Sequence, residues 1–301
     1  MNAATHPTPQ VVGIGETLWD LFPDGAVWGG APANFACHAA AVGGTAAMVS
    51  RVGRDPLGDR GIAALEAHGV DTRHLQRDDS RPTGTVAVSL GPDGDARYVF
   101  AADTAWDRLA WEPSLGELAA GAGAVCFGTL GQRSGTSRET IRRFLAQAAG
   151  AVRVFDVNLR QDFHSAALIR ESLELADVLK LNDEELPVVA RACGIDPGDP
   201  LTTLGEIVAA RGLRLAALTR GPAGSVLLAG GATSTRPALA TRIVDTVGAG
   251  DAFTAAVVVG LLRHRPLEAI HDHAARLAAF VCGCRGATPA IPEELRSGGA
   301  G

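Results

Sequence analysis

Val152-Arg153-Val154-Phe155-Asp156-Val157 and Val178-Leu179-Lys180-Leu181 are short runs of β-branched and large apolar residues, and the segment 166–175 between them has apolar residues at helical spacing. Strand, helix and strand in that order fit one βαβ unit of roughly 30 residues. The alternation continues on both sides, with a strand at 124–127 and a helix at 137–149 before it, and a helix at 184–192 and a strand at 215–218 after it. Such a chain predicts a mainly parallel sheet covered by helices. Sheets of this kind bind ligands at the carboxyl ends of their strands. Polar residues gather there: Asp156, Asn158 and Arg160 after one strand, Asn182 and Glu185 after the next, and the turn Thr219-Arg220-Gly221-Pro222-Ala223-Gly224 after 215–218. Arg160 suits a phosphate or a sugar hydroxyl, and Asn182 with Glu185 can act through water on Mg²⁺, which keeps much of its hydration. Taken singly, each is more often a solvated loop residue or a helix cap.

Downstream, Asp245-Thr246-Val247-Gly248-Ala249-Gly250-Asp251-Ala252-Phe253 leads into an apolar run ending at Leu262. It reads as a loop feeding a helix. Gly248 and Gly250 let the backbone approach a ligand closely and point unpaired N–H groups at it, and the helix dipole favours an anion in the same place. Asp251 is a carboxylate in the first turn. A base beside an anion hole suits phosphoryl transfer, whereas a glycine turn followed by an acidic first turn is also a common ornament of helix starts. On this stretch alone the two readings stand level.

Upstream, Val11-Val12-Gly13-Ile14-Gly15 reads as a buried strand, with Asp20 just beyond it. Gly29-Gly30-Ala31-Pro32-Ala33-Asn34 opens an Ala-rich helix that stops at Gly43-Gly44. Its small residues let a ligand lie on the backbone, and Asn34 offers a donor and an acceptor to a hydroxyl. His38, one turn on, reads as a packing residue. Two period-2 segments, 83–90 and 97–101, flank the turn Gly91-Pro92-Asp93-Gly94 and predict a hairpin. A hairpin inside an α/β chain implies a small separate sheet, a candidate lid, with Tyr98 and Phe100 on one face and Phe100 the better placed for a ligand.

Composition narrows the partners. The 301 residues are 47% hydrophobic and 20% charged with a net charge of -6, which fits a globular chain and argues against nucleic acid or an anionic membrane as partner. The longest apolar run is too short to span a bilayer and the first ten residues show no secretion signal, so a cytoplasmic location is expected. Five cysteines with one Cys-x-Cys pair match neither a disulfide framework nor a zinc site. Lys180 is the only lysine, and no Walker A loop exists, so the sequence reading leaves backbone N–H groups, arginine or metal to hold a nucleotide phosphate.

The order of these motifs resembles the ribokinase-like (PfkB) carbohydrate kinase family over nearly the whole chain, and the fructokinase-like members most. The resemblance rests on Gly29-Gly30 with Asn34, on Asp245-Thr246-x-Gly248-Ala249-Gly250-Asp251-x-Phe253, and on Asp156-x-Asn158-x-Arg160, Asn182-x-x-Glu185 and Thr219-x-Gly221-x-x-Gly224. It implies a three-layer α-β-α fold with a mainly parallel central sheet, one kinase domain over 1–301, and a lid formed by about 16–30 and 83–103. It also implies that Asp251 is the general base and that Gly248, Ala249 and Gly250 form the anion hole. Asp20, Gly30 and Asn34 would bind the sugar with Phe100 and Arg160 nearby, Asn182 and Glu185 would organise Mg²⁺, and Thr219, Gly221 and Gly224 would border ATP. Many such kinases also use K⁺ held by backbone carbonyls.

Fructose is the expected acceptor, because Asp20, Asn34 and Arg160 suit a neutral hydroxylated sugar. The acidic sugar 2-keto-3-deoxygluconate is the alternative, with Arg97 or Arg160 as its cation, and a nucleoside ranks third. A non-catalytic sugar or nucleotide sensor is the alternative of another class, and a homodimer through an apolar lid face is a further expectation.

Overall fold

The computed structural model describes residues 10–90 and 96–296. Strand β1 (Gln10–Ile14) is followed by β2 (Leu18–Phe22) and β3 (Gly25–Gly29), which leave for a second sheet, and helix α1 (Ala31–Ala41) returns the chain to β4 (Thr45–Gly53). Helix α2 (Pro56–Ala67) and strand β5 (Leu75–Asp78) finish that edge, and β6 (Gly84–Leu90) and β7 (Ala96–Phe100) rejoin the second sheet. Helix and strand then alternate through α3 (Pro113–Gly121), β8 (Ala124–Phe127), α4 (Gly135–Gln147), β9 (Val152–Asp156), α5 (Ala166–Leu175) and β10 (Val178–Asn182). Helices α6 (Leu186–Ala192) and α7 (Pro200–Arg211) lead to β11 (Leu215–Thr219). The hairpin β12 (Ser225–Ala229) and β13 (Ala232–Arg236) precedes α8 (Ala249–Leu262), α9 (Leu267–Cys282) and α10 (Glu293–Arg296).

The nine-stranded sheet runs β13-β12-β11-β10-β9-β8-β1-β4-β5, with every neighbouring pair parallel except β11–β12 and β12–β13. Its parallel strands are buried on both faces, which is why they read as continuous apolar runs. Side chains alternate between two cores: Val11 packs with Phe35, Ala36, Phe253 and Leu277 on one face, while Val12 and Ile14 pack with Ile141, Phe144 and Ile169 on the other. The architecture is therefore three layers, helix on sheet on helix. Strand β1 sits between β4 and β8, so successive crossovers leave it in opposite directions and open a crevice at the strand carboxyl ends.

Helix α8 is buried on every side from Ala252 to Gly260, pressed between α1, α9 and the sheet. Small residues make this close packing feasible. Gly13 shows how tight it is: a Cβ there would lie 2.2 Å from the Pro32 carbonyl oxygen in the first turn of α1.

The second sheet has the order β3-β2-β6-β7. The predicted hairpin is its β6–β7 half, antiparallel through Val86↔Phe100 and Val88↔Tyr98. The turn 91–94 lies outside the described residues. Trp19 and Trp28, paired across β2 and β3, anchor one face near α2, with the Trp19 indole donating to the Leu57 carbonyl at 3.0 Å. At the end of β7, Arg133 makes a buried pair with Asp107 at 2.7 Å, donates to the Ala101 carbonyl at 2.6 Å and stacks on Trp106. Helices α3 and α7 and strand β5 are additional to the elements expected from sequence.

Gly13→Ala is expected to lower the unfolding free energy by about 1–3 kcal/mol or more, because the added methyl must push α1 off β1. A urea unfolding midpoint indistinguishable from wild type would contradict this account of the packing.

Candidate active site

Gly248 takes a left-handed conformation (φ 81°) as the cap of α8, and a Cβ there would lie 2.2 Å from the Ala287 carbonyl oxygen. Backbone angle and space both demand glycine. No side chain caps α8; the Ala249 N–H donates to the Thr246 carbonyl at 3.3 Å, which leaves the N–H groups of Gly250 and Asp251 for a ligand. Asp245 braces the approach, its carboxylate accepting from Val247 N at 3.0 Å and Gly286 N at 3.1 Å.

Asp251, in the first turn, accepts from the Asn34 side-chain amide at 2.8 Å across 217 residues of sequence. This contact joins the two glycine motifs into one site. Burial pushes the Asp251 carboxyl up to about 6, and the nearby Asp156 charge adds to the rise. Lys180, the Asn34 amide and Arg160 pull the other way.

Beneath Asp251 lies a charged group on the strand ends. The Lys180 ammonium is 3.1 Å from Asp156 Oδ1, and the Thr254 hydroxyl donates either to Asp156 Oδ2 at 3.1 Å or to the Gly250 carbonyl at 2.9 Å. A Cβ on Gly250 would come within 2.9 Å of the lysine nitrogen, so Lys180 lies against the flank of Gly250. The lysine that the sequence reading set aside is therefore in the site, adding a cation to the backbone, arginine and metal considered there. Glu16, at the end of β1, is buried beside them; burial pushes its carboxyl up to about 7, while Arg160 and the Ala31 N–H oppose the rise.

Asp20 lies on β2, opposite Val27 and Val86, and Val86 is opposite Phe100, so Asp20 and Phe100 share one face of the small sheet. Burial raises the Asp20 carboxyl and Arg160 opposes it. Gly30 is the left-handed cap of α1 (φ 114°), and its carbonyl accepts from Asn34 N at 2.9 Å. Arg160 is exposed, but its charge reaches Glu16, Asp20 and Asp251. Its loop touches the small sheet through Gln161, which donates to the Tyr98 carbonyl at 2.5 Å, and Phe163, edge-on to Phe100 at 5.6 Å. A cavity of about 470 Å³ opens beside these two rings, lined also by Asp103, Asp107, Arg108 and Arg133; it does not reach Asp251.

Asn182 and Glu185 hold each other: Glu185 Oε2 accepts from Asn182 N at 2.8 Å and Asn182 Oδ1 accepts from Glu185 N at 2.9 Å. Glu185 Oε1 accepts from Leu159 N at 2.9 Å, tying this turn to the Arg160 loop. Among the described residues no three acidic, histidine or cysteine side chains converge as a metal cage. The donor set suits an ion that keeps its own waters and meets Glu185 through one of them. Thr219 joins the group by register, opposite Asn182 and Ser225, and Gly221 (φ 48°) and Gly224 (φ 84°) shape the turn that follows. His38 is a packing residue as expected, buried and bonded to the Ala287 carbonyl at 2.8 Å.

Sequence reasoning missed Lys180, Thr254 and Glu16 as members of the site. Thr254 is one helical turn after Asp251, a spacing that could have flagged it. Lys180, in the middle of β10, and Glu16, two residues past β1, differ from ordinary residues only in being buried charges.

A sugar kinase, an enzyme that transfers a phosphoryl group to a carbohydrate hydroxyl, is the class to which this arrangement belongs. Residues 25–294 match the pfkB family of carbohydrate kinases, and the chain belongs to that family. It is 32% identical over 300 residues to a fructokinase of Klebsiella pneumoniae, covering 93% of this chain and 95% of the relative. The crystal structure of an uncharacterized sugar kinase of Pyrococcus horikoshii in complex with ATP superposes with a TM-score of 0.80 at 29% identity, covering 96% of this chain and 99% of that one. A Vibrio cholerae O395 fructokinase in a form with bound fructose, ADP and calcium ion gives a TM-score of 0.80 at 25% identity, covering 95% and 96%.

Asn34→Ala removes the donor that favours ionised Asp251, so the ionisation of Asp251 is expected to move above 6. The pH dependence of turnover measures this; an acid limb unchanged from wild type would show that the contact does not act on Asp251.

Proposed function

We propose that the protein transfers the γ-phosphoryl group of ATP to a hydroxyl of fructose, with Asp251 as general base. The observation that carries this reading is the Asn34–Asp251 hydrogen bond, which sets a group suited to sugar hydroxyls against the carboxylate at an anion-binding helix start. Asp251 takes the proton from the attacking hydroxyl, and the anion hole at Gly248, Ala249 and Gly250 holds the phosphoryl group as charge builds on it, through the unpaired N–H groups of Gly250 and Asp251, with that of Ala249 given to the Thr246 carbonyl. Asp20, Gly30 and Asn34 orient the sugar. Asn34 Oδ1 and Glu16 Oε2 are buried without a protein partner, and the first offers an acceptor to a sugar hydroxyl.

Charge favours a neutral sugar over an acidic one. Glu16, Asp20 and Asp251 surround the sugar position with Arg160 as the cation acting on all three, so a carboxylate such as that of 2-keto-3-deoxygluconate would meet more repulsion than attraction. Phe100 and the rest of the small sheet act as a lid that excludes water. Mg²⁺ would bind ATP phosphates and water, with Glu185 and Asn182 behind it, and would neutralise phosphate charge. A K⁺ ion would take backbone carbonyls of the segments that Asp245 ties together. Thr219, Gly221 and Gly224 border the nucleotide.

Phe22, Val27 and Tyr98 are exposed on the face of the small sheet that also carries Asp20, and they suit pairing with the lid of a second copy. Among the described residues no helix is long and apolar enough to cross a membrane. A cytoplasmic enzyme with small-molecule partners and no nucleic-acid role completes the reading.

With Mg²⁺ and ATP, fructose is expected to give the highest kcat/KM for ADP release in a panel of ketoses, aldoses, keto-deoxy acids and nucleosides. Preference for the keto-deoxy acid would replace fructose, and no release with any sugar would favour a sensor. Asp251→Asn is expected to lose about 10²-fold or more in kcat while still binding sugar. Because the base must be ionised, wild-type kcat should rise with pH through about 6; a flat profile across that range would exclude Asp251 as the base.

A further inference from the structure

Lys180 is the chain's one lysine, and it is buried in the middle of β10 with no role in the reaction described above. Carboxylates act on it from three elements: Asp156 at the end of β9, Asp251 in α8 and Glu185 in the turn after β10. The buried thiol of Cys126 on β8 lies within range of the same charges and stays protonated, so it supplies no anion. Exposed Arg160 and buried Glu16, just past β1, act on Asp251 as well.

We propose that Lys180 is a positioning residue for phosphoryl transfer, the resident counter-charge that allows buried carboxylates to stand beside an anion-binding helix start and that braces the first turn of α8 from below. The inference rests on the kinase reading of the site. Its geometry is direct, because Lys180 holds Asp156 at 3.1 Å, Thr254 lies within hydrogen-bond reach of Asp156 and the Gly250 carbonyl, and a Cβ on Gly250 would meet the lysine nitrogen at 2.9 Å. Without the ammonium, Asp156, Asp251 and Glu185 would repel the incoming phosphates and one another in a medium that screens charge poorly.

Removing the positive charge also removes an influence that keeps Asp251 ionised. Lys180→Met is therefore expected to lower kcat by roughly 10²-fold, the scale of losing one oxyanion-hole donor. The acid limb of its pH profile should move to higher pH, while KM for the sugar changes far less. A buried ion pair with a purely structural role would lower stability and leave that limb in place. Turnover within a few-fold of wild type with an unmoved limb would overturn the proposal.

Should the variant fail to fold, the wild type supplies the test. Full-length protein carrying ¹⁵N at the lysine side-chain nitrogen has one such nucleus, so its NMR spectrum reports Lys180 alone. Its signal is expected to shift on adding a non-hydrolysable ATP analogue with Mg²⁺, and a signal indifferent to saturating nucleotide would overturn the proposal. Failure of the kinase reading itself would appear separately, as no ADP release by wild type with any sugar.

Discussion

The close packing of α1 on α8 is the constraint on which the site depends. Both helices begin at the carboxyl edge of the sheet and lie in the same core, and both present small residues to it, Ala33, Ala36 and Ala39 from one and Ala252, Ala255 and Ala256 from the other. Bulkier residues would hold the backbones farther apart. At this separation the amide of Asn34, in the first turn of α1, reaches the carboxylate of Asp251, in the first turn of α8. Gly13 and Gly248 act on the same geometry from its edges, one letting α1 sit on β1 and the other letting α8 start against Ala287.

The electrostatics follow from that packing. Bringing two helix starts and three strand ends together gathers Glu16, Asp156, Asp251 and Glu185 where water is scarce, an arrangement that is unfavourable for each carboxylate alone. Lys180 offsets part of that penalty from within, and backbone N–H groups satisfy both oxygens of Glu185. What remains is an Asp251 carboxyl raised to about 6, ionised near neutrality yet more basic than an exposed aspartate. Such a carboxylate is suited to accept a hydroxyl proton as phosphoryl transfer proceeds. The helix start beside it is open to an anion.

The small sheet shows how a strand pair can be legible while its surroundings are not. The β6–β7 hairpin is readable from alternation around a turn motif, and Asp20 from its place beyond a strand. Strands β2 and β3 are short, β3 carries Gly25 and Gly29, and β2, which holds β3 in the sheet, gains its other partner from β6, more than sixty residues on. Strand β5, Leu-Gln-Arg-Asp, is a polar edge with no apolar run, and α3 and α7 contain glycines that blur a helical pattern. For each of these, tertiary pairing or packing outweighs local preference.

The class of fold was legible in the sequence, through strand and helix periodicity along the chain, and so were Asn34, Gly248, Gly250 and Asp251 as candidates for the site, because glycine at a helix start and polar residues beside it have local causes. These features depend on a residue and its near neighbours, so they can be read in one dimension. Only the tertiary structure decided that Asn34 meets Asp251, that Lys180 lies under Gly250 and that Glu16 is buried beside them. The physical reason is that burial and Coulomb interaction depend on distance in space. A lone lysine in an apolar strand looks the same in sequence whether it ends in water or among three carboxylates.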